Sequence, residues 1–207
     1  MKEFPCQLYL ISPLDVGGDF PARLEAALSA GPVAAFQFRV KELDQHEAAA
    51  LAEPLQAICA AHDVAFVVND SVALAKRLKA DGVHLGQGDG DVREARELLG
   101  SAAQIGVSCH NSRHLAMEAA EAGADYVAFG AFYQTATKAV DHVAELDTLQ
   151  KWSFVTEVPC VAIGGITPDN AKALIDAGAD FIAASGAVWN HPQGPAEAVK
   201  AFNALLA

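Results

Sequence analysis

With 207 residues, 52% of them hydrophobic, the chain can bury one large core, as a single domain over residues 1–207 or at most two small ones. Its 14 basic and 26 acidic residues leave a net charge of −12, which weighs against nucleic acid and membrane as partners but leaves local cations free to hold a phosphate. No apolar run approaches the roughly 18 residues of a transmembrane helix, residues 1–10 lack a signal-peptide layout, and Cys6, Cys59, Cys109 and Cys160 form no CxxC pair. A cytoplasmic protein with reduced thiols is expected.

In chain order, residues 7–11 read as an apolar strand and residues 20–29 as a helix with Leu24 and Leu28 at helical spacing. Residues 33–38 form a second strand, running into Gln37, Arg39 and Lys41. Asp44 opens an Ala-rich helix to about Ala61, in which Pro54 predicts a kink. Strands at 65–68 and 82–85 flank a short helix at 71–78; a helix at 91–99, a strand at 104–108 and a helix at 112–122 ending at Gly123 follow. A strand at 126–129, a polar loop at 130–143 and a helix around 145–152 come next. The last elements are a strand at 158–163, a helix from Thr167-Pro168, a strand at 180–184 and a helix at 195–206.

Lys79-Ala-Asp-Gly-Val, Glu121-Ala-Gly-Ala-Asp-Tyr-Val and Asp176-Ala-Gly-Ala-Asp-Phe-Ile repeat one unit, a helix stop followed by a strand start. Eight strand–helix alternations without a long linker favour a closed (β/α)8 TIM barrel. An open doubly wound sheet competes, but no G-x-G-x-x-G follows the first strand.

In a parallel barrel the chemistry lies at the C-terminal ends of the strands. The loops there carry Gln37, Arg39 and Lys41, then Asn69 and Asp70, Gln87 and Asp89, Ser108, Thr135, Thr137 and Lys138, and finally Gly164, Gly165, Ser185 and Gly186. Asp70 and Asp89 end adjacent parallel strands and should emerge side by side, a plausible oxygen-ligand pair for Mg2+. Solvation or helix capping by Asp70 is the competing reading. Cations converging on two carboxylates describe a Mg2+-bridged polyphosphate. The Gly164-Gly165 and Ser185-Gly186 turns suit a second phosphate, against the plainer reading of two tight turns. His84 reads as a packed barrel residue, His110 and His114 lack a zinc partner, Cys109 points away from His110, and Trp152 and Trp189 read as packing.

Gln37-Phe-Arg-Val-Lys41, Val68-Asn-Asp70, Gly82-Val-His-Leu-Gly-Gln-Gly-Asp89, Gly106-Val-Ser108, Gly130-Ala-Phe-Tyr-Gln-Thr-Ala-Thr-Lys138 and Ile163-Gly-Gly-Ile166 together resemble thiamine-phosphate synthase, in order over nearly the whole chain. The resemblance implies joining of a hydroxymethylpyrimidine diphosphate to a thiazole phosphate with release of pyrophosphate. The diphosphate leaves first, and the thiazole nitrogen captures a pyrimidinylmethyl cation. It further implies Mg2+ on Asp70 and Asp89, a diphosphate held by Arg39, Lys41, Asn69 and Lys138, and a pyrimidine positioned by Gln37 and Ser108. Thr135, Thr137, Gly165, Ser185 and Gly186 would then serve the thiazole phosphate and the closing loop. Catalysis would rest on Arg39, Lys41, Ser108 and Lys138.

Two departures stand out. The family usually has proline where this chain has Ala131 and Gln134, which predicts a more mobile loop. Its usual serine near the last turn is Gly186 here, with Ser185 one step earlier. The thiazole tautomerase relatives share the barrel and also vary at that turn, but they lack the full cation and Asp set and carry a His at the position of Ala131. A tautomerase acting on the thiazole phosphate alone, or a non-catalytic barrel that binds thiamine precursors, are the other readings. Oligomeric state is not legible.

Overall fold

The computed structural model describes residues 5–134 and 143–206. Short apolar strands alternate with helices, and each strand pairs in parallel with its neighbours in sequence until the last meets the first. In the first half these are β1 (Gln7–Ile11), α1 (Phe20–Leu28), β2 (Ala35–Phe38), α2 (Gln45–Ala61), β3 (Ala65–Asn69), α3 (Val72–Leu78), β4 (Gly82–Leu85) and α4 (Val92–Leu99). The second half runs β5 (Gln104–Ser108), α5 (Arg113–Ala122), β6 (Tyr126–Gly130), α6 (Leu146–Val155), β7 (Cys160–Ile163), α7 (Pro168–Asp176), β8 (Phe181–Ala184), α8 (Gly186–Trp189) and α9 (Pro195–Leu206). The expected closed barrel of eight parallel strands is what forms. Among the described residues no helix is long and apolar enough to cross a membrane.

Local chemistry starts the helices where the sequence suggests. Asp44 accepts the amides of His46 and Glu47, and the Glu47 carboxylate accepts the Asp44 amide in return, a reciprocal cap. Ser71, Asp91 and Ser112 cap α3, α4 and α5 in the same sense. Ser71, not Asp70, is therefore the cap of α3, which leaves the Asp70 carboxylate for another role. α2 continues through Pro54 as one helix. β7 begins at Cys160, later than expected, because Pro159 has no N–H to give; its carbonyl instead accepts the Val127 amide. The short α8 had no counterpart among the expected elements.

Alternation along the strands divides the apolar residues into two sets. Outward-facing Phe36, Phe38, Phe66, Val83, Ile105, Phe129 and Ile182 pack under the helices. Inward-facing Tyr9, Ile11, Ala35, Val67, Tyr126, Ala128, Val161 and Ala183 fill the barrel. Trp152 and Trp189 are buried as expected, each with its indole N–H spent on a backbone carbonyl, Val158 and Ile11 respectively.

The repeated helix-stop unit acquires a physical role. Asp81, Asp125 and Asp180 stand just before β4, β6 and β8, and each carboxylate accepts the amide at the base of the preceding strand: Phe66 at 2.7 Å, Ile105 at 2.6 Å and Cys160 at 2.8 Å. The same aspartates return their own amides to the carbonyls of Phe66, Ile105 and Cys160. Every second strand is thus pinned to its predecessor by two bonds at the bottom of the barrel. In the remaining pair Ala34 sits at that position and makes only the backbone bond, to Leu8. The turn before each aspartate needs a left-handed residue, supplied by Gly123 and Gly178 in two units and by Lys79 (φ 50°) in the other.

The Asp125 latch also holds Arg96, whose guanidinium reaches the carbonyls of Gly100, Ala103 and Gly123. Asp125→Ala leaves the buried Ile105 amide without its acceptor and should cost about 2–3 kcal/mol. Asp125→Asn should lose less, and the exposed Asp147→Ala should stay within about 0.5 kcal/mol. Urea unfolding of the three variants measures this; equal midpoints for Asp125→Ala and Asp147→Ala would refute the latch.

Candidate active site

The C-terminal ends of β2, β3, β4 and β5 bring together most of the residues expected to act. Gln37 is the last inward residue of β2 and is buried inside the barrel. Beyond β2, Arg39 is tied to the end of β1 by Ser12, whose hydroxyl accepts the Arg39 amide at 2.8 Å and donates to the Arg39 carbonyl at 3.1 Å. The Ser12 amide in turn donates to the Gln37 carbonyl. This clamp extends the β1–β2 pairing past the strands and fixes where the Arg39 side chain leaves the wall. Arg39 Nη1 is buried and has no hydrogen-bond partner among the described residues. A buried guanidinium N–H without an acceptor is a cost that an incoming anion removes.

Asp70 follows β3 in the left-handed conformation, φ 67°, its amide donating to the His84 carbonyl. That turn lifts its carboxylate out of the wall. Lys41 reaches it from the end of β2, Nζ to Oδ2 2.7 Å. Asp89, in the loop after β4, folds back so that its carboxylate accepts the Gly86 amide at 2.8 Å. The two carboxyls meet as expected, in a hydrogen bond to each other. Loss of water and that bond push the Asp89 carboxyl up. Burial acts the same way on Asp70, but Lys41 and the hydrogen bond from Asp89 outweigh it and hold Asp70 below its ordinary range. Two adjacent carboxyls divide in this way because like charges oppose joint ionisation. Among the described residues no cluster of three or more metal-type ligands occurs, so Asp70 and Asp89 stand as a pair. Two carboxylates suit Mg2+, which takes few protein ligands and fills its shell with water and phosphate oxygens.

Asn69, the last residue of β3, is level with His84, and Ser108 closes β5. Gln87 donates to the Ser108 carbonyl at 2.7 Å, fastening the β4 loop over β5. His84 is buried as expected, but it is more than packing. Its Nε2 lies 2.9 Å from Ser108 Oγ, and its Nδ1 lies 3.1 Å from the Tyr126 hydroxyl. Burial pushes the His84 pKa down to about 4, so the ring is neutral. Tyr9, Tyr126 and Ser12 were missed as site-forming residues. The available signal was positional: each is a polar residue on an inward or terminal position of an otherwise apolar strand.

On the opposite side of the mouth, the turn after β7 is held by the chain that follows β6. Phe132 and Tyr133 donate their amides to the carbonyls of Ile163 and Gly164. A Cβ at Gly164 would lie 2.3 Å from the Ala131 Cβ, and one at Gly165 2.3 Å from the Gln134 carbonyl oxygen. Both glycines have positive φ as well. Their side-chain-free backbone is therefore required by the protein's own packing, whatever they bind. Gly186 differs: it opens α8, and a Cβ there meets only Asn190, in ordinary contact at 3.7 Å. Ser185, before it, sends its hydroxyl toward the Ser12 carbonyl. Thr135, Thr137 and Lys138 lie outside the described residues.

Cys109 is buried, its thiol donating to the Val107 carbonyl and its pKa pushed up to about 12 by burial, so it is no nucleophile. His114 stands exposed beside Glu118 on α5, away from any ligand set.

A family model described as thiamine monophosphate synthase matches residues 8–188. The thiamine-phosphate synthase of Erythrobacter litoralis is 70% identical over 209 residues, covering 99% of this chain and 97% of that protein. The thiamine-phosphate synthase of Rhodospirillum centenum is 52% identical, with 97% and 98% covered. Among solved structures, the thiamine phosphate pyrophosphorylase of Pyrococcus furiosus superposes with a TM-score of 0.86 at 30% identity, covering 97% of this chain and 95% of that one. With a matching family model over most of its length, full-length relatives at this identity and the barrel to match, the chain belongs to the thiamine-phosphate synthase family of transferases.

Proposed function

We propose that this barrel joins a hydroxymethylpyrimidine diphosphate to a thiazole phosphate, releasing pyrophosphate, with Mg2+ as cofactor and in the cytoplasm. The observation that carries the reading is the contact of Lys41 with Asp70 beside Asp89, together with the buried Nη1 of Arg39, without a partner among the described residues, just beyond β2 on the same rim. In a protein of net charge −12, cations gathered at one mouth favour an anionic ligand. Four cysteines, none of them in a disulfide, suit a reducing compartment.

Diphosphate departure needs stabilisation of negative charge that grows in the transition state, more than it needs a base. Asp70 and Asp89 would hold the divalent ion, which supplies Lewis acidity to the leaving group. Arg39 donates to phosphate oxygens from its buried Nη1. Lys41 turns from Asp70 to the diphosphate once Asp70 has another cation to face. Asn69 and, by the family pattern, Lys138 complete the grip. Gln37 and Ser108 orient the pyrimidine at the barrel's inner end, so that its exocyclic carbon faces the thiazole nitrogen. The Gly164-Gly165 and Ser185-Gly186 turns receive the thiazole phosphate on backbone N–H groups, with Thr135 and Thr137 nearby in sequence. The decisive experiment incubates the purified protein with both substrates and Mg2+. Thiamine phosphate and pyrophosphate in equal amounts are expected, and neither without the pyrimidine diphosphate.

Asp70→Asn and Asp89→Asn should each lower turnover at least about a hundredfold, worth about 3 kcal/mol. Both should fold normally, because the Lys41–Asp70 pair is half exposed and such pairs contribute under about 1 kcal/mol. Steady-state rates at saturating Mg2+ beside thermal melts decide it; near-normal turnover in both would exclude the metal role.

Holding Mg2+ requires the Asp89 carboxyl, whose pKa is raised, to be ionised. Affinity should therefore be full above the raised pKa of Asp89 and fall as pH drops through it, with a proton released on binding. Calorimetry in buffers of different ionisation enthalpy reads both quantities.

For the second phosphate, Gly186→Val is the clean probe, since the fold itself tolerates a side chain there. The KM for the thiazole phosphate should rise about tenfold, the equivalent of 1.4 kcal/mol, with the pyrimidine KM nearly unchanged. Gly165→Val cannot serve, because it would displace the Tyr133–Gln134 backbone first.

A further inference from the structure

Five side chains form one unbroken hydrogen-bonded line across the barrel interior. Gln37 Nε2 donates to the Tyr9 hydroxyl at 3.1 Å. The Tyr9 and Tyr126 hydroxyls are 2.9 Å apart, Tyr126 lies 3.1 Å from His84 Nδ1, and His84 Nε2 lies 2.9 Å from Ser108 Oγ. The line enters from the mouth at Gln37 and returns to the mouth at Ser108. Gly106, level with Tyr126 on β5, makes room for it: a Cβ there would stand 2.0 Å from the Tyr126 ring carbon Cζ and 2.4 Å from its oxygen.

Counting protons gives the line a direction. An amide NH2 has no lone pair to offer, so Tyr9 accepts from Gln37 and must spend its single proton on Tyr126. Tyr126 then has one acceptor left for its own proton, His84 Nδ1. A ring nitrogen that accepts carries no hydrogen, so the imidazole proton sits on Nε2 and is donated to Ser108 Oγ. Only the two ends of the line keep a hydrogen with no partner within it: the second amide hydrogen of Gln37 and the hydroxyl hydrogen of Ser108.

We infer that Tyr9, Tyr126 and His84 are positioning residues that preset Ser108 as a hydrogen-bond donor to the substrate, so that the mouth selects a ring atom with a lone pair, such as a pyrimidine nitrogen, over one bearing hydrogen. The inference rests on the synthase reading for the identity of the ring but not for the direction of the line. A buried chain with every member satisfied also holds Ser108 in one rotamer, which a lone serine at a strand end does not achieve.

Two measurements test this. In the free protein, 15N spectra of labelled histidine, assigned by loss of the His84→Gln signal, should find His84 neutral with hydrogen on Nε2. A proton on Nδ1 would reverse the line and overturn the inference, whatever the protein's activity. In kinetics, Tyr126→Phe removes the donor to Nδ1 and frees the imidazole to take either tautomer. The pyrimidine KM should rise about tenfold while the thiazole KM stays put, and the 15N signals should move toward a tautomer mixture. In a Ser108→Ala background, Tyr126→Phe should add nothing. A full additional loss there would mean that Tyr126 acts by packing alone, and would equally overturn the assignment.

Discussion

A carboxylate that accepts an amide across the base of a strand pair sets the register on which everything above depends. In a parallel barrel a slip of one residue exchanges the inward and outward sets, and with them the core and the mouth. Asp81, Asp125 and Asp180 oppose that slip at β3–β4, β5–β6 and β7–β8, because each carboxylate accepts one particular amide of the neighbouring strand. A latch at the bottom therefore decides that His84 and Ser108 face inward at the top. The strands are only four or five residues long, so few ladder bonds per strand are available to do this otherwise.

Above the latches the interior holds two kinds of side chain. Apolar ones such as Val67, Val161 and Ala183 pack beside a line of hydroxyls, imidazole and amide that runs up to the mouth. Buried polar groups on this scale are tolerated only when each finds a partner, and here each does through the next. Arg39 Nη1 is the exception, and it lies at the site where an anion is expected. The apolar side chains give rigidity, the polar line orientation, and the rim the charge.

The fold was legible because period and punctuation agreed. Apolar runs of four or five residues, Gly123 at a helix stop and Thr167-Pro168 at a helix start left little choice of boundary. The pairing of Asp70 with Asp89 was legible too, since adjacent parallel strands deliver their ends to one side. What escaped was contact across the barrel. Tyr9 and Tyr126 are 117 positions apart, and alternation tells which way each faces but not which hydroxyl it meets. Gly164 and Gly165 were read toward a ligand, but the turn they form is also dictated by Ala131, Tyr133 and Gln134 pressing against it. A local pattern cannot separate a glycine needed for a guest from one needed for a neighbouring loop. The base latches were visible only as a repeat; the amides they hold lie on other strands.

The ion pair between Lys41 and Asp70 carries a consequence for the order of arrival. With the Lys41 ammonium already on the Asp70 carboxylate, part of the charge at the free mouth is neutralised from within. Under the synthase reading, a bare divalent ion would have to displace that ammonium and would offer Lys41 nothing in exchange. An ion escorted by its diphosphate would bring the new acceptor along, so that the lysine changes partners without ever standing alone. The pair would then work as a turnstile, easier to pass for metal and leaving group together than for the free ion.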